Sequence, residues 1–201
     1  MKVLSLVICA LLAWEPAKLG IGLVAITNCY DATAVVAIYK DQSLTTRAYD
    51  FHVHKPLTTV RPVRYQPDYG LCHFICLEKT KNYYRVLIND TEEGYLENKA
   101  DKHFSTWEAT FMQNPFVERN ANDPNPVHEQ PNNNSAVVES LPSSIFNVQQ
   151  IIEVDGEDWI SVQFSKSGET RCGEGPKGDC RFGWIKWRKN DKLLVNFLLG
   201  C

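Results

Sequence analysis

The sequence predicts an all-β protein made of two small tandem units. Three observations predict it. Short β-rich runs follow one another with turns between them, an asparagine- and proline-rich stretch interrupts them past the middle, and a Gly-aromatic-aliphatic triplet occurs once on either side of that break. The 201 residues suit one ordinary domain or two small ones. With 44% hydrophobic and 22% charged residues, the chain has the balance of a protein that folds around a core. A formal net charge of −3 argues against nucleic acid as a partner, because neutralising phosphates takes a positive excess.

The N-terminus reads as an export signal. Lys2 precedes the apolar run Val3 to Trp14, broken only by Ser5, which is the pattern of a secretory leader and too short for a membrane span. A second apolar stretch, Leu19 to Ile26, follows Glu15, Pro16 and Lys18, which separate it from the first. Residues 1–27 are therefore expected to be a leader, with Ala13, Ala25 and Thr27 as candidate cleavage points. The mature chain is expected to be periplasmic or secreted, with no stable membrane span. Leu6-Val7-Ile8 lacks the small residues that precede a lipidated cysteine, so Cys9 leaves with the leader.

Six cysteines remain: Cys29, Cys72, Cys76, Cys172, Cys180 and Cys201. An even number in an exported chain points to disulfides. Cys172 and Cys180 flank a short segment rich in Gly and can pair across it. Cys72 and Cys76, on an extended run, would stand about 13 Å apart at about 3.3 Å per residue, beyond the reach of about 7 Å that a disulfide allows. Each would need another partner, Cys29 first among them, with Cys201 taking the other or remaining free.

The predicted strands come in two groups. Ala34–Tyr39, Val60–Arg64, Leu71–Leu77, Tyr83–Ile88 and Gly94–Glu97 form the first, with a turn at Asn89-Asp90-Thr91. Ala136–Val138, Phe146–Val154, Trp159–Phe164, Phe182–Trp187 and Leu193–Leu199 form the second. Between them, Lys99 to Met112 is the best helical candidate, and Asn114 to Asn134 has the composition of a linker. The expected organisation is a first unit at 28–99, a short helical or irregular connector at 100–122, and a second unit at 123–201.

The second group echoes the first. Tyr83-Tyr84-Arg85-Val86 aligns with Trp159-Ile160-Ser161-Val162, 76 residues on. Gly94-Tyr95-Leu96 aligns with Gly183-Trp184-Ile185, and Ala37-Ile38-Tyr39 with Pro126-Val127-His128, both 89 residues on. The second copy thus carries 13 extra residues, around Ser165 to Arg181, where Cys172 and Cys180 lie. The order of an aromatic residue, a β-run, a turn and Gly-aromatic-aliphatic resembles the bacterial Src-homology-3 (SH3) domain. The second copy matches more fully, through Asn125-Pro126-Val127, Pro131, Val137-Val138, Leu141, Val148, Trp159 and Gly183-Trp184-Ile185. The first copy has tyrosines where the second has tryptophans, and an atypical stretch from Phe51 to Tyr69.

The resemblance implies two tandem small SH3-like β-barrels with a ligand groove lined by aromatic side chains. The matching positions are Tyr39, Tyr83 and Tyr95 in the first copy, and His128, Trp159 and Trp184 in the second. Trp187, beside Lys186, Arg188 and Lys189, adds a basic aromatic cluster that could meet an anionic ligand. The implied function is non-catalytic recognition of peptides, those of peptidoglycan stems or of a cell-envelope protein. An alternative is an inhibitor or immunity-type protein that binds a cell-wall hydrolase, with the loop at 172–180 as a wedge. A cysteine- or metal-dependent hydrolase is the third reading. Against it, adjacent Cys72 and His73 on a strand point to opposite faces, and a metal shared by His52 and His54 with Cys72 or Cys76 lacks a recognised zinc spacing. No stretch is long enough for a separate catalytic domain, and no phosphate loop is present, so no catalytic residue, metal or cofactor is expected.

Overall fold

A computed structural model describes residues 19–55, 57–120, 125–139, 145–165, 172, 180–190 and 192–198. The first sheet begins with β1 (Gly22–Ile26), β2 (Val35–Tyr39), β3 (Arg47–His52) and the short β4 (Arg64–Gln66). A single 3-10 turn at Pro67–Tyr69 leads into β5 (Leu71–Lys79), then β6 (Tyr83–Leu87), β7 (Glu93–Glu97) and β8 (Lys102–Thr106). Helix α1 (Trp107–Gln113) follows, started by the Thr106 side chain, which accepts a hydrogen bond from the Ala109 amide. The second sheet holds β9 (Phe116–Arg119), β10 (Val127–His128), β11 (Val137–Glu139), β12 (Ile145–Val154), β13 (Glu157–Ser165) and β14 (Cys180–Lys186). A small hairpin, β15 (Arg188–Lys189) with β16 (Lys192–Leu193), precedes the last strand, β17 (Val195–Phe197).

The described residues are mostly β, with α1 and the 3-10 turn the helical exceptions, and the antiparallel sheets are curled. The first sheet runs β3-β2-β7-β6-β5-β1-β8 and the second runs β11-β10-β14-β13-β12-β9-β17. Leaving aside β4 and the β15–β16 hairpin, both have the same order along the sheet: third, second, sixth, fifth, fourth, first, seventh. The likeness extends to register. Tyr39 lies opposite Tyr95, and His128 opposite Trp184. Val86 lies opposite Gly94, and Val162 opposite Gly183. Each fourth–fifth hairpin carries an irregularity just past an inward residue, at Cys76/Glu78 in one and Val148/Gln150 in the other. The alignment read from the sequence therefore coincides with the pairing of the strands.

Close approach explains the repeated glycine. A Cβ on Gly94 would lie 2.7 Å from Ile38 Cγ2, and one on Gly183 would lie 2.3 Å from Val127 Cγ1 and 2.8 Å from the His128 carbonyl oxygen. In both sheets the sixth strand is thus pressed against the second at a point where no side chain fits.

Several strands cross the expected boundaries. Gly22–Ile26 falls within the span assigned to a leader, yet β1 is an interior strand paired with both β5 and β8. Its Val24 and Ile26 are buried in the first core. Cleavage at Ala25 or Thr27 would remove this strand; of the three candidate points only Ala13 precedes it. The first unit therefore runs from β1 to β8, beyond the expected 28–99. The expected connector at 100–122 is not a spacer: β8 belongs to the first sheet, only Trp107–Gln113 is helical, and β9 pairs with β12 and β17 of the second sheet. The linker expected from Asn114 to Asn134 likewise contains β9 and β10, and Val60–Val63 is not strand, only Arg64–Gln66 being paired.

The two core clusters are distinct, but residues of the first unit reach into the second. Along β5, Cys72, Phe74 and Cys76 face the first core, where Phe74 meets Phe51 edge-on with ring centroids 6.0 Å apart. The alternate residue Ile75 packs against the second core, as does Leu23 of β1. Helix α1 wedges between the sheets. Phe111 is fully buried, and Trp107 donates its indole N–H to the carbonyls of Leu19 and Gly20 at 3.2 and 3.3 Å. The two units are thus joined through one shared apolar junction.

Candidate functional site

In the first unit the three expected tyrosines gather on one outward face. Inward residues alternate with them: Ile38 on β2, Tyr84 and Val86 on β6, Leu96 on β7. Tyr39, Tyr83 and Tyr95 are therefore turned out, and all three are half-buried. The rings of Tyr83 and Tyr95 meet edge-on at 5.4 Å. The Tyr83 hydroxyl reaches Glu78 Oε1 at 3.2 Å and Gln42 Oε1 at 3.3 Å. Partial desolvation and the Glu78 carboxylate raise the phenol above its ordinary pKa, so it stays a donor.

Charge surrounds these rings. Arg85, opposite Tyr95, pairs with Glu78 at 3.3 Å and Glu93 at 3.0 Å, and Lys99 pairs with Glu97 at 2.7 Å. With Arg47, opposite Tyr39 and paired with Asp50, four carboxylates accompany three cations, leaving the tyrosine face with a small acidic excess.

The equivalent face of the second unit is closed by its own side chains. Trp159, the counterpart of Tyr83, is fully buried, and His128, the counterpart of Tyr39, is 8% exposed. Their rings meet edge-on at 5.5 Å. Lys186 Nζ stands 5.2 Å from the Trp159 ring centroid and is also paired with Glu157. Trp184 remains half-buried. The expectation that Trp159 contacts a ligand is corrected: no face of it is open. The same holds for Trp187, 2% exposed, which packs on Trp107 and Phe111 with centroids 5.3 Å away in each case. It belongs to the junction, not to a ligand groove.

The cysteines divide as follows. Cys172 and Cys180 form a disulfide, with Cα atoms 5.2 Å apart, at the start of β14 where Ser165 pairs with Cys180. The residues between them, 173–179, lie outside the described ones, as does Cys201. Cys29, Cys72 and Cys76 are buried free thiols, so the expected pairing of Cys72 or Cys76 with Cys29 is not present. Burial pushes the thiols of Cys72 and Cys76 up to about 12, with the nearby Cys29 adding to the first. Burial, helped by the Arg64 charge, pulls His73 down to about 4. His52 is exposed, while His54 shares a hydrogen bond of 2.7 Å with the Cys29 carbonyl. Among the described residues no group of three His, Cys, Asp or Glu could hold a metal.

No protein-family model matches the chain, and no curated protein or solved structure matches it. Its chemistry is therefore read from its own residues.

One concavity escaped the sequence reading. A cleft of about 580 Å³ opens at the junction of the two units. Leu23, Arg64 and Tyr65 line it from the first unit, Trp107 from α1, and Glu118 and Phe197 from the second. Its only trace in the sequence is Arg64 itself, the last residue of the strand candidate Val60–Arg64.

Proposed function

We propose that the chain is an exported, non-catalytic binding protein of the bacterial SH3 type, and that it holds peptides on the tyrosine face of its first unit. The observation that carries this reading is the duplicated register. Tyr39 and Tyr95 occupy the same paired positions as His128 and Trp184, on strands in the same order, and the face is open only in the first unit. Half-buried tyrosines are suited to recognition, since each offers a rigid apolar ring and a hydroxyl at little entropic cost. The acidic excess around them favours a peptide with a free amine, which fits the stem peptides of peptidoglycan. The Cys172–Cys180 disulfide fits an oxidising compartment, and no helix among the described residues is long and apolar enough to cross a membrane. A nucleophilic thiol needs a lowered pKa or an adjacent base, and Cys72 and Cys76 are displaced the other way.

A second reading is a protein partner, such as a cell-wall hydrolase held by an inhibitor or immunity-type protein. It is favoured by Phe182, 63% exposed two residues past the disulfide, where an apolar ring on the surface suits a protein contact. Capture on purified sacculi separates the two. Retention on sacculi stripped of protein supports the peptide reading. Capture of a hydrolase, with no retention on stripped sacculi, supports the second.

A further inference from the structure

We propose that the cleft between the two units is a separate binding site, for a molecule with one carboxylate on an apolar or aromatic body. Arg64 is the reason. Its guanidinium stands 5.2 Å from the Phe197 ring centroid across the junction. Its Nη1 is buried and meets no hydrogen-bonding group, the rest of the side chain lines the cleft, and no ion pair to it is present among the described residues. Burial lowers its pKa, which for a guanidinium leaves it charged at neutral pH. Its cross-strand neighbour is His73, whose Nδ1 is also buried without a partner and which burial keeps neutral.

Burying part of a cation without a counter-charge is costly. The cation–π contact with Phe197 offsets part of that cost but gives the buried Nη1 no acceptor. What a guanidinium offers that no neutral side chain does is a planar fork that takes a carboxylate bidentately. The walls supply the rest of the recognition. Leu23, Trp107, Leu193 and Phe197 are apolar, and about 580 Å³ is the size of a small-molecule site. Glu118, on the second unit's wall and without an ion pair of its own, sets the charge limit. A second carboxylate on the ligand would meet it, whereas an amine would be welcome. The site is complete only when both units are in place, because Arg64 comes from β4 and the aromatic floor from α1 and β17.

The same carboxylate chemistry is found in a small organic acid and in the free end of a peptide. The test therefore uses both, on the intact protein labelled with nitrogen-15. The probes are N-acetyl-L-phenylalanine, its carboxamide, and the tripeptide Ala-Ala-Phe with a free carboxylate. The reporter is the Trp107 indole N–H. A saturable shift is expected with N-acetyl-L-phenylalanine, with affinity at least about tenfold weaker for the carboxamide, as loss of a charge-assisted pair implies. Tighter binding of Ala-Ala-Phe identifies a peptide end, and tighter binding of the acetylated amino acid a small acid; either supports the site. Arg64→Met should reduce the acid to the affinity of the amide, while Tyr83→Ala should leave it unchanged, which separates this cleft from the tyrosine face. Equal binding of acid and amide, or no saturable shift with any probe, overturns the proposal. So does a large fall in Tm with Arg64→Met, which would assign the guanidinium to the fold; the proposal expects Tm to change little, the lost contact with Phe197 being offset by relief of the buried charge.

Discussion

Lowering the pH from neutral to 4 should loosen the junction through one residue, His73. Its ring lies on the face of β5 that carries Ile75, toward the second unit, opposite Ala25 of β1 and Arg64 of β4. Burial is the main cause of its low proton affinity, and the Arg64 charge adds to it; together they take it from 6.5 to about 4. In the unfolded chain the imidazole takes up a proton as the pH falls through 6.5, while the folded chain refuses it until about 4. The unfolded state therefore binds more protons across this window, and stability is lost as the pH falls. At about 1.4 kcal/mol for each decade of affinity, the loss is roughly 3 kcal/mol by pH 4. Asp41, whose carboxyl is held at about 2 by the Ser43 hydroxyl, acts below this window. The assay is urea unfolding followed by tryptophan fluorescence across the window, for the wild type and His73→Gln. The variant should lose that slope while other carboxylate effects remain. Parallel curves for the two proteins would refute the reasoning.

Three further outcomes follow from the packing. Gly183→Ala places a Cβ 2.3 Å from Val127 Cγ1 and should lower stability by about 1–3 kcal/mol, measured by chemical denaturation. Trp187→Ala should cost about 3–5 kcal/mol, and both units should still melt in one transition, because the same cluster holds Leu23 and Ile75 of the first unit. Separate calorimetric transitions for the two units would contradict the shared junction. Replacing both Cys172 and Cys180 by Ser should cost about 2–3 kcal/mol by the loop-closure argument. Non-reducing peptide mapping should first show the linkage in the wild type, and retained binding in the variant would leave the disulfide as a brace.

Much of the fold was legible because its signals are local. Strands β2, β5, β6, β7, β12, β13 and β14 each carry the alternation or the β-branched and aromatic residues that mark a strand. The repeat placed Tyr39 and Tyr95 correctly, since a shared register follows from a shared pattern. What was missed has physical reasons. Strand β1 is a short apolar run near the N-terminus, the composition a leader also has, and only its pairing with β5 and β8 distinguishes them. Strand β3, RAYDFH, buries only Phe51 and so shows no apolar run. Strand β8 reads as part of a helix because Phe104, Trp107 and Phe111 recur at near-helical spacing, although β1 holds the first of them extended. The closing of the second face could not be read at all. It depends on His128 and Lys186, brought to Trp159 from two different strands. The junction cleft is a product of the two units meeting, which no single stretch of sequence encodes.

The measurement that bears most directly on the central claim is calorimetric titration of the purified protein with a peptidoglycan stem peptide. The account predicts saturable one-site binding that Tyr83→Ala and Tyr95→Ala each weaken by about 1–2 kcal/mol or more, roughly tenfold, as loss of an aromatic anchor does. Trp184→Ala, on the face closed by Trp159 and His128, should leave it unchanged. Binding that survives both tyrosine changes and is lost with Trp184→Ala would contradict the account, as would no binding at any attainable peptide concentration.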